Sequence, residues 1–106
     1  MSTWATKLIE DLAKGGTVQC RPRGHSMTGI VDNGDLVTIA PLEADPKPGD
    51  VVLCVVGKAQ YLHKVVETRD GRYLIGNNRG KINGWVDRSN IHGRMIAREA
   101  APLRRS

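Results

Sequence analysis

The sequence predicts a mainly β protein, a small antiparallel sheet or partial barrel with one short N-terminal helix. Three observations carry that expectation. Six short runs rich in Val, Ile, Leu and Tyr recur along the chain; turn signals built on Gly, Asn and Pro stand between them; and helical periodicity is confined to the first residues. A chain of 106 residues has the size of one domain around one core, so residues 1–106 are read as a single unit. It divides into a helix over 3–14, a β core over 17–98 and a frayed tail over 100–106.

From Thr3 to Lys14, Trp4, Leu8, Ile9 and Leu12 recur at helical spacing, with Ser2 or Thr3 as cap and Gly15-Gly16 as stop. This stripe is read as a face packed on the protein's own sheet, in preference to a membrane-surface face. The period then shortens. Strands are expected at Thr17–Cys20, Asp35–Ala40, Asp50–Val56, Gln60–Glu67, Arg72–Ile75 and Ile91–Arg98. Asn33-Gly34, Pro46 to Gly49, Gly57-Lys58 and Asp70-Gly71 supply the turns, and Gly76 to Gly84 reads as a loop. There is neither an internal repeat nor a linker.

Composition excludes several classes. Hydrophobic residues at 40% and charged residues at 25% describe a chain that folds, and no apolar run is long enough for a membrane span. Glu10 and Asp11 interrupt the N-terminal stretch where an export signal would be apolar. Sixteen Lys and Arg against eleven Asp and Glu give a net charge of +5. The basic residues are scattered, however, and no stacking aromatics accompany Arg21, Arg23, Arg104 and Arg105, so nucleic acid is not the expected partner. Cys20 and Cys54 lack any metal-ligand or CxxC spacing and read as reduced thiols of a cytoplasmic protein. No cofactor and no metal are expected, and a homodimer stays open.

Chemistry is best sought around Ser26. In Arg23-Gly24-His25-Ser26-Met27 a glycine precedes a small hydroxyl residue as the chain leaves a strand, a turn that can present a nucleophile. A nucleophile needs a base, and His63 and Lys64 stand side by side in the strand Tyr61-Leu62-His63-Lys64-Val65-Val66. Alternation puts them on opposite faces, so only one can meet Ser26. An imidazole suits neutral pH without the deep burial a lysine base requires, and activity depending on His63 should rise through roughly pH 6 to 7.

Five ordered blocks between Gly24 and Ile96 then add up. Ser26-Met27-Thr28-Gly29-Ile30-Val31-Asp32-Asn33-Gly34-Asp35, Lys47-Pro48-Gly49-Asp50-Val51-Val52, Leu62-His63-Lys64-Val65-Val66, Gly76-Asn77-Asn78 and Ile91-His92-Gly93-Arg94-Met95 follow one another in the chain. In this order they resemble the signal peptidase and SOS-repressor (LexA-like) serine protease clan. The resemblance implies a mostly β protease fold with Ser26 as nucleophile and, at the position of the general base, His63. The pair His63-Lys64 is similar to the His-Arg of endoplasmic-reticulum and archaeal signal peptidases, where bacterial members show Lys-Arg. It also implies an extended peptide or protein substrate, added to a sheet edge, with small side chains favoured at the pocket.

Two positions depart from the clan's pattern. Gly29 stands where signal peptidases carry proline, and Gly76-Asn77-Asn78 stands for Gly-Asp-Asn. In the histidine-type enzymes an aspartate just beyond that box is expected to orient the imidazole, and Asp87 is the nearby acid. Gly34 and Gly49 are expected to turn the chain, with Asp35 and Asp50 accepting backbone N–H bonds there. The reading is a soluble minimal serine endopeptidase, without the membrane anchor of signal peptidases or the DNA-binding domain of the repressors. The alternative is a noncatalytic module of the same fold that grips a peptide or partner strand, Asn77 marking the lost chemistry.

Overall fold

A computed structural model describes residues 4–102. Its helix, α1, spans Thr6–Ala13, shorter at both ends than the expected 3–14. Ala5 stands at the N-cap without a side-chain cap bond, and the proposed caps Ser2 and Thr3 lie outside the described residues. Leu12 is buried and Leu8 and Ile9 are partly so, all three against the sheet's core. Trp4 stands before the helix and is 42% exposed, so it does not belong to that packed stripe. No helix among the described residues is long and apolar enough to cross a membrane.

Seven strands follow: β1 (Val18–Cys20), β2 (Leu36–Ala40), β3 (Val51–Val56), β4 (Ala59–Arg69), β5 (Arg72–Gly76), β6 (Ile82–Asp87) and β7 (Ile91–Glu99). They form one curled, half-barrel sheet in the order β1-β2-β7-β3-β4-β5-β6, every pairing antiparallel. The mainly β expectation is met. β6 departs from the expectation of a loop over Gly76 to Gly84 and no strand between Ile75 and Ile91. Asn83 and Gly84 interrupt its apolar alternation, and strand structure arises there from pairing with β5, where Tyr73 faces Val86 and Leu74 faces Trp85.

Both faces of the central strands are covered. Along β3, Leu53 joins a cluster with Leu12, Met27, Val37, Ile39 and Leu62, whereas Val52 and Cys54 join Val65, Tyr73, Ile75 and Val86 on the other face. This is the period-2 pleat read in three consecutive residues. Both cysteines are free, and burial raises both thiols, that of Cys54 to about 12, which leaves it inert.

The two Gly-Asp turns share one design. Asp35 Oδ2 accepts the Asp32 amide at 2.8 Å and Asp50 Oδ2 accepts the Lys47 amide at 2.9 Å. Gly34 and Gly49 carry the positive φ of 88° and 95° that such turns require. Their burial differs. Asp35 is 2% exposed and also binds the Ala101 amide at 3.0 Å and Arg98 Nη1 at 3.2 Å, which ties the end of β7 to the segment following Ser26.

Candidate active site

Ser26 lies on the long loop between β1 and β2, between exposed His25 and buried Met27. The loop is held by its own turns and by two apolar anchors. The Val31 amide donates to Met27 O at 2.7 Å, and the side chains of Met27 and Val31 both enter the core. Gly29, the residue that replaces proline, has φ +96° and donates its amide to Asp32 Oδ1 at 3.0 Å. A proline can do neither, because its ring fixes φ near −65° and it has no N–H. The departure is therefore a different construction of the loop.

β4 brings His63 to this loop. Ser26 Oγ and His63 Nε2 are 3.2 Å apart, within hydrogen-bond reach. On the far side of the ring, His63 Nδ1 lies 2.7 Å from Asn83 Oδ1. A carboxamide oxygen only accepts, so Nδ1 carries the imidazole proton and Nε2 presents its lone pair to the serine hydroxyl. Tyr61, two residues earlier on the same face of β4, stacks on the imidazole with centroids 4.6 Å apart and planes 25° from parallel. His63 is 7% exposed. That burial lowers its pKa below the ordinary imidazole value, the Asn83 hydrogen bond opposes the shift, and the positive charge of Lys81 adds to it.

Asp87 does not orient the imidazole. Its carboxylate is exposed and sits 3.3 Å from Arg72 Nε, its register partner on β5. The residue in the orienting position is Asn83, which carries no signal in the sequence because Gly76 to Gly84 reads as a loop and the resemblance implies a carboxylate. Asn77 has a local role. Its Oδ1 accepts the amides of Arg79 at 2.8 Å and Lys81 at 2.9 Å, shaping the turn that leads into β6.

Lys64 projects from the opposite face of β4. Its ammonium donates to Asn78 Oδ1 at 3.1 Å, while Asn78 Nδ2 donates to Thr28 O at 2.7 Å and the Asn78 amide to Ser26 O at 2.8 Å. Lys64 is thus tied, through Asn78, to the backbone that carries the serine. A groove of about 480 Å³ opens over the pair, with Arg21 to Gly24 along one wall, Gln60 to His63 along the other and Met27 and Val31 also lining it.

A family model described as Peptidase S24-like matches residues 3–96, most of the chain. Searches of curated proteins and of solved structures return no significant match.

Proposed function

The chain belongs to the Peptidase S24-like family, and from that premise we propose that it is a serine endopeptidase in which Ser26 is the nucleophile and His63 the general base. The observation that carries the reading is the 3.2 Å approach of Ser26 Oγ to His63 Nε2 at the wall of an open groove. Ser26 Oγ attacks the peptide carbonyl carbon and its proton passes to Nε2. The Nδ1–H bond to Asn83 keeps the ring in the tautomer that can accept it, and the face of Tyr61 steadies the imidazolium that results. His63 then returns the proton to the leaving amine, and water hydrolyses the Ser26 ester by the same route reversed. The Ser26 amide holds the oxyanion.

Asn83 is neutral, and this shapes the chemistry. It orients the imidazole as a carboxylate would, but offers the imidazolium no opposite charge, as in proteases that pair a catalytic histidine with asparagine. Lys64 is not the base in this reading, since its ammonium is committed to Asn78 and its strand face points away from His63.

A fluorophosphonate probe tests the assignment. Wild type should label at Ser26, identified by mass spectrometry of the modified peptide, and Ser26→Ala should not label at all. Equal labelling of both proteins, or no labelling under conditions where a known serine hydrolase reacts, returns the chain to the peptide-gripping module.

A further inference from the structure

The strand that carries His63 has an open edge beside the catalytic pair. β3 pairs with β4 over Ala59–Lys64, whereas β5 joins only from Lys64 onward, so residues 59–63 have no second strand partner among the described residues. Near the other end of this pairing, the Val65 amide donates to Asp50 O at 2.9 Å and Val65 O accepts the Gly49 amide at 2.8 Å. Antiparallel alternation then turns the backbone groups of His63 and Tyr61 toward β3 and those of Leu62 and Gln60 toward the open edge. Trp4 already uses one of these groups. Its indole Nε1 donates to Gln60 O at 3.2 Å. The Gln60 side chain fixes the same segment, Oε1 accepting the Ala5 amide at 2.8 Å and Nε2 donating to Thr6 Oγ1 at 3.0 Å.

We propose that Trp4 is a specificity-determining wall of the groove, against which one large apolar side chain of an extended peptide packs. The inference deepens the peptidase reading and rests on it for the nature of the occupant. A peptide laid along the open edge pairs its backbone with Leu62, next to His63, and reaches Trp4 at Gln60, two residues or about 7 Å further on. The subsite therefore lies two to three residues from the scissile bond. Three features give it apolar character: the indole N–H is already bonded to Gln60 O, Trp4 remains 42% exposed, and the adjoining floor is Met27 and Val31. A Leu or Phe side chain covers that exposed ring and an acidic one does not.

The chain has two tryptophans, so in a Ser26→Ala, Trp85→Phe protein Trp4 is the one indole. Ten-residue peptides with a central pair of alanines, carrying Leu, Ala or Asp at each flanking position in turn, are titrated against it. At one position two to three residues from the centre, Leu should bind about tenfold more tightly than Ala and shift Trp4 emission to the blue. Calorimetry on Ser26→Ala with native Trp85 should give the same ranking, which guards against damage from Trp85→Phe. Adding Trp4→Ala should flatten the preference and Trp4→Phe should keep most of it; in the active enzyme the loss should fall on KM, with kcat changing far less. Equal binding of the Leu and Ala peptides, a preference that survives Trp4→Ala, or no binding of any peptide overturns the proposal. If the preference holds while wild type neither labels with fluorophosphonate nor cleaves, the catalytic reading fails and the Trp4 wall stands.

Discussion

His63 and Lys64 are neighbours on β4, yet the pleat sends them into different surroundings. His63 is buried between Ser26, Asn83 and the ring of Tyr61, and its nitrogens meet a hydroxyl on one side and a carboxamide oxygen on the other. Lys64 donates to Asn78, which in turn grips the carbonyls of Ser26 and Thr28. One residue addresses the serine hydroxyl and the other addresses its backbone. Lys64 Nζ is engaged with Asn78 and it is His63 Nε2 that meets the Ser26 hydroxyl, so the lysine holds the loop. The comparison separates proton chemistry from scaffolding within a single dipeptide.

Substitutions on the two faces should diverge accordingly. The largest effect is expected from His63→Ala, which should slow fluorophosphonate labelling by about 10³-fold or more, within the range that general-base and triad losses produce. Asn83→Ala should cost about 10- to 100-fold, since the imidazole survives but its tautomer and direction are no longer fixed. Lys64→Met should change the rate by less than about fivefold while lowering stability by roughly 1 kcal/mol, read as a fall in Tm of about 4–8 °C for a domain of this size. A Lys64→Met protein that loses all labelling at unchanged Tm would reverse the assignment of the two faces.

The subtlest test is the pH profile. Burial favours neutral His63, so the acid limb of activity should have its midpoint below the ordinary imidazole value of 6.5, lower than the rise through pH 6 to 7 expected for an unperturbed ring. Lys81→Gln removes the positive charge that adds to the depression and should move the midpoint up. Asn83→Asp places a carboxylate against Nδ1 and should move it further in the same direction. Stability follows the same sign. Because the folded pKa is depressed, the unfolded chain binds the proton first, so the stability associated with neutral His63 is present above pH 6.5 and is lost as pH falls through the folded value. A limb at or above 6.5 in the unaltered protein would contradict the burial described.

The parts of this site legible in the sequence were those with a local signature. Gly24 and Ser26 announce a turn with a hydroxyl, and Tyr61 to Val66 announce a strand whose pleat separates His63 from Lys64. The Gly-Asp turns belong to the same class, because Asp35 and Asp50 bond amides three residues away. Asn83 carried no such signal. Its role exists because β6 pairs with β5 and is carried over His63, a relation across 20 residues, and its own strand is marked only by tertiary pairing. Trp4 reads from the sequence as part of the helix's packed stripe, not as part of the groove, because its partner Gln60 is 56 residues away. Gly29 shows the converse, a visible departure whose meaning depends on a φ that one sequence does not display.

The place of β7 has a consequence for the order of assembly. β2 and β3 do not pair; β7 lies between them, joining the half of the sheet that leads into the Ser26 loop to the half that carries His63 and Asn83. Among the described strands β7 also comes after all the others in the chain, and the bonds from Arg98 to Ile30 O and Asp35 steady the serine loop only once that strand is seated. Such long-range pairings form late, after the cost of closing long loops has been met. A nascent chain that has emerged only as far as β6 therefore holds the serine and the histidine in two sheet fragments that no strand yet joins. In the proposed enzyme, the approach of Ser26 to His63 would therefore depend on the seating of β7 as much as on the residues of the pair themselves.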